Sequence, residues 1–257
     1  MEKCPDKVAA YLTHELRSPL QALRFALELL NKDLEDGASE KNKRILDAAL
    51  LATDRMRSHI DDILEMSRVQ MGQTRLERQV CSPGELAMET GRYYEAWAER
   101  KWLRLKVVVE EGCPEVTADP RRVVQALTNL LTNAIKYTPA GGTVEIRVRR
   151  GRRDEAGFVL FTVRDTGCGI AAEDLPRVFR YFAQGDGEID GAGLGLPLAR
   201  SFVELQGGKM WAKSRKGEGT AFYFTLPVHI PAAEPPLSRP AGNSAESTSQ
   251  RPAPPVS

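Results

Sequence analysis

The sequence predicts an α + α/β protein: an antiparallel helical hairpin that pairs with a second copy into a four-helix bundle, followed by a two-layer α/β sandwich. Three observations carry this. Apolar residues recur at helical spacing over residues 6–72. Helical stretches alternate with β-branched runs over 74–228. The final stretch is proline-rich and lacks aromatic residues.

In the first helix Val8, Leu12, Leu16, Leu20, Leu23, Leu27, Leu30 and Leu34 follow one another at spacings of 3 and 4. In the second, Ile45, Ala49, Ala52, Met56, Ile60 and Ile63 lie on one face. Asp36-Gly37-Ala38-Ser39 breaks the pattern between them. A lone hairpin leaves these stripes wet, and pairing two copies covers them, so a homodimer is expected. The competing arrangement packs the hairpin on its own C-terminal region.

Five strands are expected in the sandwich: Leu103–Glu110, Thr143–Arg149, Phe158–Arg164, Lys209–Ser214 and Thr220–Leu226. Three helices fit between them, over 83–100, 120–137 and 194–206. Asp119-Pro120 makes a good start for the second, an N-cap acceptor followed by proline at the first helical position. From Pro227 onward the chain holds 8 of its 16 prolines, and disorder is expected from about residue 230 because too little can be buried to offset ordering. The resulting division is 1–73, 74–228 and 229–257.

Composition excludes several classes. Of 257 residues 42% are hydrophobic and 28% charged, and the net charge is +1. Bulk charge therefore favours neither nucleic acid nor a membrane surface. Cys4, Cys81, Cys113 and Cys168 form no C-x-x-C pair and no zinc-ligand spacing, so reduced thiols are expected. No apolar run approaches the roughly 20 residues that span a bilayer, and the N-terminus lacks the apolar core of a signal peptide. A cytoplasmic chain, or the cytoplasmic part of a longer one, is expected.

Four segments suggest nucleotide chemistry. On the 120–137 helix, Asn129, Asn133, Lys136 and Tyr137 fall at i, i+4, i+7 and i+8 and share one face. Val123, Val124, Leu127, Leu130, Leu131 and Ile135 form the other. Amide oxygens suit Mg2+, and a lysine supplies a point charge for phosphate. Asp165-Thr166-Gly167-Cys168-Gly169-Ile170 ends a strand, where a carboxylate can accept a hydrogen bond from an exocyclic amine such as adenine's. Gly191-Ala192-Gly193-Leu194-Gly195-Leu196 opens a helix, and backbone amides there can hold an anion. Phe179 to Asp190 between them is expected to be a mobile lid. Gly217-Glu218-Gly219-Thr220 is a turn before the last strand. Taken singly, each has a plain structural alternative: a solvated helix face, an ordinary turn, a hairpin.

The hairpin carries Thr13-His14-Glu15-Leu16-Arg17-Ser18-Pro19-Leu20. His14 sits on the polar shoulder of the first helix. Its neutral imidazole is a competent nucleophile, and Glu15 could orient it or take its proton. Pro19 bends the helix one turn later. Alone, a His-Glu pair on a helix means little. His59 lies in or beside the bundle and His229 starts the tail.

In this order and spacing the segments resemble the sensor histidine kinases of two-component systems, over about residues 6–228. The His14 segment is similar to that family's H box, Asn129–Thr138 to its N box, and Asp165–Ile170 to its first glycine box. Phe179 and Phe182 resemble the F box, and Gly191–Leu196 the second glycine box. The resemblance implies a dimerisation and phosphotransfer hairpin followed by a Bergerat-type (GHKL) ATP-binding sandwich. It implies ATP and Mg2+ as cofactors, with His14 as phosphoacceptor and Glu15 as general base. Asn133 would bind Mg2+ with Asn129 alongside, and Lys136 would contact phosphate. Tyr137 would flank adenine, Asp165 would accept from its amine, and Gly167, Gly169 and Thr220 would shape the pocket. Gly193 and Gly195 would let the lid close. The implied partners are a second copy and a response-regulator receiver domain, with no nucleic acid. Glu15 and Ser18 also match positions used to dephosphorylate that partner, although many relatives carry Thr or Asn in place of Ser18. Two features depart from the pattern. The lid from Phe182 to Gly191 is short, and only 13 residues precede His14, with no sensor or membrane segment. The rival readings are a non-catalytic dimeric scaffold switched by ATP and another ATPase or serine/threonine kinase of the same superfamily.

Overall fold

The computed structural model describes residues 20–21, 23–30, 39–181 and 193–231. Helix α1 is described over 20–21 and 23–30, and α2 runs over Ser39–Gln70. Ala26 packs with Ile45 and Ala49, and Leu23, Leu29 and Leu30 surround them. This is the expected hairpin contact. A second apolar stripe accompanies it: Leu46, Leu50, Ile60 and Leu64 on α2, with Phe25 and Leu27 on α1, are exposed. Leu27 and Ile60, both on the faces expected from the sequence to need covering by a second copy, are among these exposed residues.

The far end of α2 does not stop at the hairpin. Met66 is buried with Leu194, Leu198 and Phe202 of helix α5 (Gly195–Leu205) and its approach, and Ile63 packs alongside. Glu65 pairs with Arg122 at 2.7 Å, off the line of a proper hydrogen bond, and the Arg122 guanidinium lies 4.5 Å over the Phe202 ring. A half-buried pair with a cation–π contact adds direction to the apolar seal.

The sandwich comprises β1 (Gln79–Cys81), α3 (Pro83–Arg100), β2 (Arg104–Val109), β3 (Val116–Ala118), α4 (Pro120–Tyr137), β4 (Thr143–Arg150), β5 (Phe158–Asp165), α5, β6 (Met210–Arg215) and β7 (Gly219–Pro227). The two longer helices begin as their sequences dictate. Ser82 Oγ accepts from Glu85 N at 3.3 Å ahead of Pro83, and Asp119 Oδ1 accepts from Arg121 N at 3.0 Å ahead of Pro120. All five expected strands form, to within a residue or so at their ends. They make one sheet in the order β2-β4-β5-β7-β6, parallel between β2 and β4 and antiparallel elsewhere. The β2/β4 pair is joined by a crossover through α4, as a parallel pair requires.

Helices cover one face of the sheet. Against it lie Leu127, Leu130, Leu131 and Ile135 of α4, packed on Ile146, Phe161, Val163 and Phe224. Phe161 and Phe224, partners across β5 and β7, stack at 4.4 Å. β1 and β3, each three residues long, form a separate antiparallel pair that the sequence did not reveal. His229, expected to open the tail, is instead held at this pair. Its backbone N donates to Glu115 O at 2.8 Å, and its Nδ1 lies 2.9 Å from Thr117 Oγ1. The tail beyond 231 lies outside the described residues. Among the described residues Cys81, Cys113 and Cys168 are free thiols, and no helix is long and apolar enough to cross a membrane.

Asp62 on α2 is half-buried, and burial pushes its carboxyl up to about 6, with Asp61 and Glu65 adding to the shift and His59 opposing it. Below its ordinary value of 3.8 the group is protonated whether the chain is folded or not. As pH rises from there towards about 6, the unfolded chain ionises first and the folded state loses relative stability; above that the loss is complete. Asp62→Asn is therefore expected to melt higher than wild type at pH 7.5 and to lose the part of the pH slope between 4 and 6 that belongs to Asp62. Thermal melts across that range check this, and an unchanged slope would rule out the buried carboxyl as its source.

Candidate functional site

The candidate site lies where the C-terminal halves of α4 and β5 meet the starts of α5 and β7. Asp165, the last residue of β5, is buried, and one oxygen holds the local architecture. Its Oδ1 accepts from Gly167 N at 2.8 Å and from Thr220 N at 3.1 Å. Burial raises the carboxyl's pKa, and these two amides pull against that shift. Among the described residues no hydrogen bond is formed to Oδ2, which leaves an acceptor for a ligand.

The glycines here serve backbone packing as much as ligand access. Gly169 has φ +65°, and a Cβ there would stand 2.0 Å from Arg215 O. At Gly167 a Cβ would stand 2.5 Å from Tyr137 O, so the turn presses directly on the end of α4. The same seam is tied by Cys168 N donating to Tyr137 O at 3.3 Å.

Along α4 the expected polar face is present, but its members have different environments. Asn129 Nδ2 donates to Gly195 O at 2.9 Å, tethering the first turn of α5. Asn133, half-buried one turn further on, has no hydrogen-bond partner among the described residues. A free amide oxygen there fits a hard cation that takes its other ligands from phosphate and water. No cluster of three or more His, Cys, Asp or Glu side chains suits a metal among the described residues. Lys136 Nζ lies 5.5 Å over the Tyr137 ring. Lys136, Tyr137 and Gly167 line an open cleft of about 770 Å3, together with Trp102, Thr138 and Cys168. Asn129, Asn133 and Asp165 do not line that cleft, so the sequence-selected residues fall into two adjoining groups joined through Tyr137 and the Asp165 turn.

Thr220, buried, has its Oγ1 2.9 Å from Ser214 Oγ. Ser214, which carried no motif, also accepts from Ile170 N at 2.7 Å and donates to Gly219 O at 2.9 Å, so it binds the glycine turn to the β6–β7 hairpin. Lys101 was likewise not singled out. Its Nζ donates to Ile135 O and Lys136 O, each at 2.9 Å, closing the C-terminus of α4. Gly193 and Gly195 flank Leu194, which is fully buried at the start of α5. His14, Glu15 and Ser18, together with the lid segment 182–192, lie outside the described residues.

Comparison with known proteins places these elements in context. Residues 6–72 match the His Kinase A (phospho-acceptor) domain, and residues 118–230 match the histidine kinase-, DNA gyrase B-, and HSP90-like ATPase domain. The chain is 36% identical over 233 residues to an adaptive-response sensory kinase, SasA, of a Synechococcus species, covering 87% of this chain and 59% of that protein. It is 34% identical over 231 residues to the non-motile and phage-resistance protein of Caulobacter vibrioides, covering 88% of this chain but 27% of that protein. The chain thus spans between about a quarter and three-fifths of these relatives' length. Among solved structures, full-length ShkA in complex with AMPPNP superposes with a TM-score of 0.66 at 28% identity, covering 89% of this chain and 47% of ShkA.

Asp165→Asn tests the site directly. The retained amide oxygen can still accept from Gly167 and Thr220, so the melting temperature is expected to stay near wild type. The acceptor for an exocyclic amine is changed, and affinity for a fluorescent ATP analogue is expected to fall about tenfold or more, roughly 1.4 kcal/mol. Unchanged affinity would remove Asp165 from base recognition.

Proposed function

The chain belongs to the histidine kinases, and from that footing we propose that it transfers the γ-phosphoryl group of ATP to its own His14 and then to an aspartate of a response-regulator receiver domain. The observation that supports this most is the union, in one chain, of a phospho-acceptor domain containing His14 and an ATPase-type ATP-binding domain behind it.

In the proposed first step a lone pair on a neutral His14 ring nitrogen attacks the γ-phosphorus. The bond to the β,γ-bridging oxygen breaks, ADP leaves, and Glu15 takes the proton released from the ring. Lys136 supplies positive charge towards the phosphates, Asp165 fixes the base through Oδ2, and Tyr137 closes one side. Mg2+, which Asn133 would hold, would supply charge neutralisation on the phosphate oxygens. Positioning carries most of the catalysis in such transfers. In the second step the phosphoryl group passes from the ring nitrogen to a receiver-domain carboxylate. Glu15 and Ser18 suit the reverse duty of positioning water for dephosphorylation. The proposed setting is the cytoplasm, where ATP is available.

The exposed stripe of Leu46, Leu50, Ile60 and Leu64 supports a homodimer. These side chains are about half exposed, so each gains on the order of 1 kcal/mol on full burial, and a self-complementary pairing of hairpins is favoured over leaving the stripe in water.

Two outcomes are expected. Incubation with ATP and Mg2+ leaves acid-labile, alkali-stable phosphate on the wild type and none on His14→Ala; label persisting on that variant would overturn the proposal. Leu50→Lys places a charge in the outer stripe and is expected to shift the chain from dimer to monomer in light scattering while leaving the sandwich's melting transition in place.

A further inference from the structure

We propose that the uncovered face of the five-stranded sheet is a docking surface for an acidic polypeptide segment. Every helix of the sandwich lies on the other face, where alternate strand residues enter the core. The intervening residues point away from that core, and the strand register arranges them in rows. One row runs Lys106, Glu145, Arg164, Ala221, Lys213 across all five strands. The next runs Val108, Arg147, Thr162, Tyr223, Trp211. Arg149 extends the pattern on β4 beside Leu160. With strands about 4.8 Å apart, each row is roughly 20 Å long.

Charge on this face is segregated. The two rows and Arg149 carry five cations against one carboxylate, on a chain whose whole net charge is +1. That carboxylate, Glu145, is already engaged with Arg147 at 2.9 Å, which demonstrates that a carboxylate sits comfortably among these guanidinium groups. The shape suits a chain segment. Short side chains of the central strands, Thr162, Ala221 and Thr225, lie between Arg147 and Arg149 on one side and Trp211 and Lys213 on the other. Trp211 and Tyr223 stack on each other at 5.4 Å with near-parallel rings, and Lys213 stands 5.9 Å over Tyr223.

This arrangement separates the possible polyanions. Single-stranded nucleic acid gains most from bases stacking on open ring faces, and here Trp211 and Tyr223 each give one face to the other, with Lys213 over Tyr223. A bilayer surface calls for protruding apolar side chains beside the cations, and the rows supply only Val108 as an exposed aliphatic. Carboxylates on a polypeptide need neither. They pair with the guanidinium forks, and half-buried Thr162 on the floor offers a hydroxyl group to its backbone, whereas Thr225 is buried and accepts from Lys209 N at 3.0 Å. The surface lies on the opposite side of the sheet from α4 and α5, so a docked segment leaves the candidate nucleotide site open.

The test uses the full chain and a fluorescein-labelled peptide of alternating glutamate and alanine, read by anisotropy. At an ionic strength near 0.1 M, Arg147→Gln/Arg164→Gln/Lys213→Gln is expected to weaken binding about tenfold or more, whereas Arg24→Gln/Arg57→Gln/Arg121→Gln, which removes the same charge elsewhere, changes it less than about twofold. Autophosphorylation without peptide is expected to be the same in both. Should the first triple variant melt well below wild type, Arg164→Gln and Lys213→Gln singly are each expected to weaken binding about threefold, which keeps the comparison valid. Three results would overturn the proposal: no binding by wild type, equal loss in both triple variants, or tighter binding of an oligothymidylate of equal charge or of phosphatidylserine vesicles than of the peptide.

Discussion

One carboxylate oxygen organises the candidate site. Asp165 Oδ1 accepts backbone amides from Gly167 and Thr220, which stand 55 residues apart from Asp165 in the second case. It thereby joins the end of β5, the glycine turn and the start of β7. Without it both amides would be buried and unpaired, at roughly 1–3 kcal/mol each. The glycines follow from this knot. The turn must press on Tyr137 O, Arg215 O and the backbone of Asp165 itself, and a Cβ at 167, 169 or 219 would collide with them. A tight backbone knot around one oxygen leaves the second oxygen of the same carboxylate fixed in direction, as the proposed recognition of a base would require.

From that knot the structure passes to the hairpin through α5. Asn129 tethers the helix's first turn at Gly195, and the residue before it, Leu194, is buried against Met66 of α2. The helix that borders the candidate site is therefore also the helix that docks the sandwich on the hairpin. The Glu65–Arg122–Phe202 contact reinforces the same seam. The seam is mainly apolar: Met66, Ile63 and Val69 of α2 meet Leu194, Leu198 and Phe202, with the Glu65–Arg122 pair beside them.

Much of this was legible in the sequence because the signals were periodic or chemically specific. Leu127, Leu130, Leu131 and Ile135 lie where helical spacing put them, and Asp119-Pro120 begins α4 as its cap chemistry demands. Less was legible where the cause is tertiary. β1 and β3 are three residues each, too short to show alternation, and exist because they pair with one another. Ser214 and Lys101 carry no motif; their value is in the backbone groups that the fold brings to them. The apolar surface of α2 is wider than the single stripe read by spacing, because Leu46, Leu50 and Leu64 stand beside Ile60 on the exposed side of the helix. Asn129 is expected beside Asn133 in the phosphate region; its Nδ2 donates to Gly195 O, a tether that only the tertiary fold reveals. The phospho-acceptor segment itself, from His14 to Ser18, rests on sequence and kinship.

Among the described residues, two exposed surfaces of opposite chemistry stand out, and their physics differs. The outer stripe of the hairpin is apolar, so water penalises its exposure at all times and only another apolar surface relieves that penalty. An interface made there is close to obligatory. The outer sheet face is cationic, and water solvates it well; an acidic segment gains there only the difference between its own pairing and hydration, which salt erodes. An interface made there is optional and sensitive to conditions. A chain built in this way can keep its assembly constant through the hairpin while leaving the sheet to partners that come and go, and the core between the two faces lets neither event require refolding of the site.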